Sequence, residues 1–403
     1  MPAGDFHHRV AQESTRAAGK RAMIPRPGAD VDNARALPRF LASSLPRFLA
    51  SSLSRFLASS LPRFLALSLS RSLVLSLLRF LIIIVLASLP GGARAALSSP
   101  VVENVWPLQS SDGFTFAIAA DMRSYAGPGI YNTSQYFQGA CETLAALGKG
   151  DFMVSPGDLD PPSGALWTIT KTLGSTYTWY PVVGNHDLPG AGNEAHPGAN
   201  LEWLNAYDYG TVNPGPSGCP TTTYSFDHEN AHFVMLNVYC DSAGDHATTG
   251  DVPDHLYNWL ADDLNSTTKS VIFVFGHEPA YPHPDADNGR ERHFGDSLDQ
   301  YPAHRDRFWE LLRDHGVVAY ICGHTHNYSL VQIDDVWQLD AGHARGKGDT
   351  GARSTFVVIH VNGGLVTFAT YRDDANGGTY IQRYGGVLYA PYSVYLPLIL
   401  RSP

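Results

Sequence analysis

Five short blocks of Asp, Asn and His carry the chemistry of this 403-residue chain, each placed after strand-like apolar residues. They are Ala120-Asp121-Met122-Arg123, Gly157-Asp158, Gly184-Asn185-His186-Asp187, Gly276-His277-Glu278 and Gly323-His324-Thr325-His326. Carboxylate, amide and imidazole groups together make an oxygen and nitrogen ligand set for divalent cations. Two His at i and i+2 of an extended segment point to the same side, a common metal arrangement. Alone, a Gly-Asp pair fits an ordinary tight turn, because both residues suit one. Asn185-His186-Asp187 alone also fits a hydrogen-bonded loop. All five blocks together, each at a strand end, point to ligands converging on metal at one edge of a sheet.

In order and content the blocks resemble the calcineurin-like metallophosphoesterase family, whose pattern runs D-x-H, GD-x-x-D, GNH[DE], GH and GHxH. Four of the five match at their central residues. The resemblance implies a hydrolase of phosphate mono- or diesters that holds two divalent ions, of Mn, Fe or Zn. Two such ions about 4 Å apart lower the pKa of a shared water and neutralise the phosphoryl oxygens during in-line attack. Carried across block by block, Asp158 becomes the bridging carboxylate. Asp121 and His326 then hold the first ion, and Asn185, His277 and His324 the second. His186 becomes the group that assists the leaving oxygen, and Asp187 the carboxylate that orients its imidazole.

Two departures from the family pattern matter. Arg123 stands where the family has His or Gln, and a guanidinium cannot ligate a metal. It can clamp a phosphoryl oxygen, so Arg123 joins the catalytic candidates and the first ion is expected to bind weakly. Pro161 stands where the family has Asp, or Tyr in purple acid phosphatases, with Asp160 one place early. The absent Tyr argues against a purple acid phosphatase, and Tyr125 or Asp160 is left to fill the gap. These departures keep open a catalytically degenerate binder of metal or phosphate. Further candidates for phosphate binding or for lining the pocket are Tyr281, Arg290, Arg292, His293, Arg305, His343 and Arg345.

The elements that must position these blocks alternate along the chain. Strands read over Phe114–Ala119, Asp151–Ser155, Val271–Phe275 and Val317–Ile321, and helices over Thr133–Leu147, Pro253–Leu264 and Pro302–His315. Hairpins follow: Tyr328–Ile333 with Val336–Leu339, then Thr355–Val361 with Leu365–Tyr371 across Asn362-Gly363-Gly364. That alternation implies an α/β protein with mixed sheets. The resemblance adds two facing mixed sheets flanked by helices, a four-layer sandwich, in a single catalytic domain at 113–384. A linker at 96–112 precedes it, and an apolar tail at 385–403 follows, readable as an edge strand. Long loops at 188–220 and 280–301, rich in Gly, Pro, Asn and His, are expected to overhang the site.

The first quarter of the chain is of another kind. Residues 37–68 repeat an eight-residue unit, LPRFLASS in its first copy, within a low-complexity leader at 1–70. Prolines in three of the four copies argue against one continuous helix. Residues 71–95 place arginines before an apolar core, Phe80–Leu89, and end in Ala93-Arg94-Ala95, the design of a secretory signal peptide. An uncleaved anchor, making a membrane-bound surface protein with an accessory phosphoesterase domain, is the alternative. Membrane contact is expected only in that case, and a secreted or extracytoplasmic location otherwise. The first 95 residues hold 13 Lys+Arg against 4 Asp+Glu, so the remaining 15 against 34 give a net charge of −19. Such a surface repels polyphosphate backbones and excludes general nucleic-acid binding, leaving a small phosphoester as the expected partner. Four cysteines suit an oxidising compartment. Cys219 and Cys240 bracket a strand pair at Thr222–Phe226 and His232–Tyr239 and are the expected disulfide, with Cys141 and Cys322 as buried thiols.

Overall fold

A computed structural model describes residues 112–122, 135–190, 195–241, 244, 247–345, 351–373 and 378–391. The leader, the signal or anchor segment, Arg123, Tyr125 and most of the C-terminal tail lie outside the described residues. The chain in order is β1 (Phe114–Ile118), α1 (Gln135–Ala146), β2 (Phe152–Pro156), α2 (Pro162–Leu173), β3 (Thr178–Val182) and α3 (Ala199–Ala206). Next come β4 (Asn213–Pro214), β5 (Tyr224–His228), β6 (Ala231–Met235), α4 (Asp254–Ser266), β7 (Val271–Phe275), α5 (Pro302–Asp314) and β8 (Ala319–Cys322). The hairpin strands β9 (Tyr328–Ile333), β10 (Val336–Ala341), β11 (Thr355–Asn362), β12 (Leu365–Asp373) and β13 (Tyr380–Tyr389) close it.

The strands form two mixed sheets, as expected. One is ordered β13-β12-β11-β1-β2-β3 and the other β4-β5-β6-β7-β8-β10-β9. Alternation within the strands explains why the sheets face each other. Phe114, Phe116 and Ile118 of β1 join one buried cluster with Phe152, Phe233, Phe273 and Phe275, while Ala117 joins a second cluster with the apolar faces of the helices. A strand buried on both sides must be apolar on both, and β1, β2, β6, β7 and β8 are buried throughout. Between the sheets, the Phe116 ring stacks on Phe152 at 5.4 Å and meets Phe233 and Phe273 edge-on at 5.2 Å. Fully burying one such ring stabilises by about 1.5–3 kcal/mol.

The topology sets where the chemistry lies. Strands β1, β2 and β3 are mutually parallel, and so are β6, β7, β8 and β10. Ligand blocks therefore follow the C-terminal ends of β1, β2, β3, β7 and β8, and backbone bonds tie the two sets together. Asp121 N donates to Gly157 O at 3.1 Å, and Gly323 N to His277 O at 3.0 Å.

Strands β3 and β4 were not read from the sequence, and three further elements differ from it. Helix α2 was not legible because it carries an exposed Trp167 that blurs its apolar stripe. Helix α3 lies inside the long loop at 188–220, where Gly198 starts it in a left-handed conformation at φ 91°. Strand β13 extends to Tyr389, past the expected domain end at 384, as the edge strand of the first sheet. The Cys219–Cys240 disulfide is formed, and Cys141 and Cys322 are buried free thiols. Among the described residues, no helix is long and apolar enough to cross a membrane.

Candidate metal centre

The backbone is bent sharply where the ligands sit. Asp121 (φ 50°), Asp158 (φ 57°), His324 (φ 68°) and His326 (φ 59°) all adopt the left-handed region. That conformation is uncommon outside glycine and costs of order 1 kcal/mol or more unless the surroundings impose it. Four cases among six expected ligands show where fold stability is given up for site geometry. Two glycines allow the close approach: a Cβ on Gly184 would collide with Asp158, and one on Gly323 would collide with the Asp121 carboxylate. The Gly of each of these two blocks is thus a clearance for a neighbouring ligand.

The residues expected at the second ion converge. Asn185 Oδ1 lies 3.1 Å from His277 Nε2 and 3.2 Å from His324 Nδ1, and His277 Nε2 lies 3.4 Å from Asp158 Oδ1. Their tautomers are fixed by backbone partners on the far side. His277 Nδ1 sits 2.8 Å from the Pro156 carbonyl, so its N–H donates there and the Nε2 lone pair faces inward. His324 Nε2 sits 3.3 Å from the Asp296 carbonyl, leaving Nδ1 inward as the acceptor. Burial disfavours the His277 cation, yet the Asp158 and Asp121 carboxylates raise its pKa above the ordinary value. For His324, burial and then the neighbouring His277 and His293 push the pKa down to about 3, which keeps it a neutral ligand.

The first position gathers Asp121, Asp158 and His326, whose ligand atoms lie within 4.8 Å of one another. Asp121 Oδ1 is buried and lies 3.1 Å from His326 Nε2, at an angle that makes no hydrogen bond. A buried carboxylate oxygen and an imidazole nitrogen aimed past each other suit a shared cation. The donor set therefore fits two ions, with Asp158 between them.

Asp187 has a different task from the one expected. Its carboxylate accepts the backbone N–H of Gly184 at 2.8 Å and of Leu159 at 3.0 Å, not the His186 imidazole. The 3₁₀ turn at Asn185–Asp187 folds the Asp187 side chain back under Gly184 and so toward the loop after β2. It is a positioning residue that locks two ligand loops together. His186 is half-buried, and its backbone N–H donates to Asp158 Oδ1 at 2.9 Å.

The remaining candidates divide. Arg345 Nη2 lies 2.8 Å from His326 Nδ1, Arg292 contacts the same nitrogen, and His293 stacks on His324 at 4.1 Å. His343 lies edge-on to His326 at 5.7 Å, and Arg290 donates to Asn327 beside it at 3.1 Å. Tyr281 instead packs on Trp309 with the Arg305 guanidinium over its ring, which commits both to the α5 side. Asp160 accepts from Asn200 of α3 at 3.0 Å. One positioning residue was missed: buried Asp340, which accepts from Thr325 Oγ1 and, at 3.0 Å, from Gly342 N, and so holds the turn between His324 and His326. Its only sequence signal was an acidic residue ending an apolar strand.

The joined edges of the paired sheets bring the six expected ligand side chains together. Residues 114–328 match the model of the calcineurin-like phosphoesterase family, and the chain belongs to that family. Among solved structures it is similar to a purple acid phosphatase from yellow lupin (Lupinus luteus) seeds, at 14% identity and a TM-score of 0.48, over 70% of this chain and 54% of that one. It is similar also to a dimetal phosphatase from Danio rerio, at 14% identity and a TM-score of 0.48, over 69% and 99%. A third similar structure is PhoD, at 13% identity and a TM-score of 0.46, over 69% and 73%. The chain spans about half the length of the lupin enzyme. No curated protein matches the sequence.

Proposed function

We propose that this chain is an exported phosphoesterase that hydrolyses small phosphate mono- or diesters at a centre of two divalent ions. The observation that carries the reading is the inward lone pairs of His277 and His324, set by the Pro156 and Asp296 carbonyls beside Asn185 and Asp158. When bound, the ions would supply a water of lowered pKa and charge neutralisation for the phosphoryl group. Asp121, Asp158 and His326 would hold one, and Asp158, Asn185, His277 and His324 the other. His186, on the turn whose backbone grips Asp158, would give a proton to the leaving oxygen. Asp187 holds that turn in register with the loop after β2.

Export is supported by the apolar core Phe80–Leu89 with Ala93-Arg94-Ala95, and by the Cys219–Cys240 disulfide, which suits an oxidising compartment. Two measurements test the reading. Turnover of aryl phosphate mono- and diesters is assayed with Mn²⁺, Zn²⁺ or Fe added, and mass spectrometry of the secreted protein should find a chain beginning near Ala96. Inert protein with every metal and both ester types would replace the enzyme with a metal or phosphate binder. A retained leader would replace export with anchoring.

A further inference from the structure

Arg345 and Arg292 reach one imidazole from different loops. Arg345, only 2% exposed, follows β10 and brings Nη2 to 2.8 Å of His326 Nδ1 and 3.2 Å of Nε2. Arg292, half-buried, comes from the loop after β7 and touches the same Nδ1. Guanidinium groups only donate and stay charged at all working pH values. A centre built for phosphate thus holds two fixed cations within hydrogen-bond reach of a ligand to the first ion.

We propose that Arg292 and Arg345 form a two-pronged clamp that binds the phosphoryl oxygens directly and favours the dianion of a phosphate monoester. The proposal rests on the phosphoesterase reading and adds the substrate class. Two guanidiniums match two negative charges and can take separate oxygens through charge-assisted bonds. A diester offers one charge and a second bulky group where the other guanidinium would sit. The clamp also accounts for an asymmetry between the two metal positions. Among the described residues, His277 Nδ1 and His324 Nε2 face carbonyls that accept their hydrogen bonds, whereas His326 Nδ1 faces guanidinium donors. Phosphate that draws the guanidiniums away frees His326 to turn its other nitrogen to a cation, so phosphate and the first ion should help each other bind.

The test is calorimetric titration of orthophosphate into chelator-treated protein, with its fold checked by circular dichroism. Wild type should bind phosphate without metal, and Arg292→Gln and Arg345→Gln should each weaken binding about tenfold or more, the loss expected for one bond to a charged group. Arg292→Lys, which keeps the charge, should fall between wild type and Arg292→Gln. In metal-loaded protein, Arg292→Gln should lower kcat/KM for an aryl monoester more than for the diester. Folded variants with wild-type phosphate affinity, or equal losses on both ester types, would overturn the clamp. Wild-type turnover alongside unaffected variants would sink the clamp and leave the phosphoesterase standing. Phosphate binding that depends on both arginines in an inert protein would do the reverse.

Discussion

The backbone N–H of His324 donates to Oδ2 of Asp121 at 2.9 Å, a bond between residues 203 positions apart that joins the end of β1 to the end of β8. Since β1 and β8 belong to different sheets, this bond closes the edge where the ligands meet. The other oxygen, Oδ1, faces His326 Nε2 without a hydrogen bond. One carboxylate thus serves as a clasp with one atom and as a ligand with the other.

Those two tasks separate by substitution. Asp121→Asn keeps an oxygen for the His324 N–H but loses the charge, so the protein should fold and hold less metal. Asp121→Ala loses both, and a buried N–H left without its acceptor costs about 1–3 kcal/mol. Thermal melts beside metal analysis read the difference. If the two variants melt together, the clasp contributes nothing to the fold.

His186→Ala should lower turnover by about 10²–10⁴-fold, the range for general acid assistance, with metal content near wild type. Asp158 is held through the His186 backbone N–H, which alanine retains. Metal analysis and kinetics on the same preparation decide it. Loss of metal in proportion to loss of activity would make His186 a ligand or a support instead.

Asp187→Ala should destabilise more than His186→Ala. It strands the buried N–H groups of Gly184 and Leu159, at about 1–3 kcal/mol each. Activity should fall as well, because the loops carrying Asn185 and Asp158 lose their tie. Asp187→Asn keeps an acceptor and should recover part of both. A fully active, fully stable Asp187→Ala protein would remove this residue from the site.

Most of the centre was legible because it is written in side-chain types at strand ends, and strands buried on both faces announce themselves as apolar runs. Asp121, Asp158, Asn185, His277, His324 and His326 were found that way, and the structure brings them together. What escaped was whatever depends on the far side of a ring or on backbone. The Pro156 and Asp296 carbonyls leave no mark in a sequence, although they decide which nitrogen of His277 and His324 faces inward. The role of Asp187 was misread because adjacency to His186 suggested a contact, while the 3₁₀ turn sends the carboxylate to Gly184 and Leu159. Helix α2 was missed where an exposed Trp167 hid the pattern.

Reduction, or Cys219→Ser, should lower stability by about 2–4 kcal/mol, the usual range for a native disulfide. The bridge closes the segment that holds β5 and β6, with Cα atoms 6.1 Å apart and the half-cystines 21 positions apart in sequence. Turnover at moderate temperature should hardly change, since no ligand sits on that segment. Denaturant melts with and without reductant measure the difference, and coincident curves would assign the bridge no stabilising role.

His232 sets a pH dependence of stability away from the metal centre. Nδ1 lies 2.7 Å from Asp227 Oδ1 and Nε2 lies 2.9 Å from Asp263 Oδ2, so one ring links β5, β6 and α4. Burial opposes the charged ring, but the hydrogen bonds and charges of Asp263 and Asp227 outweigh it and raise the pKa above the ordinary 6.5. Asp227 is half exposed and screened by solvent, whereas Asp263 is buried, so Asp263 is the stronger partner. A folded-state pKa above the unfolded one means that the folded protein binds the proton more tightly. That stabilisation is complete below the unfolded value and disappears as pH rises through the raised folded value. His232→Gln, uncharged throughout, should therefore be less stable than wild type by about 1.5–3 kcal/mol in mild acid, the worth of a hydrogen bond to a charged group. The gap should narrow in alkali. Melts of both proteins from pH 5 to pH 9 test this, and a gap that stays constant or widens with pH would show that His232 folds neutral.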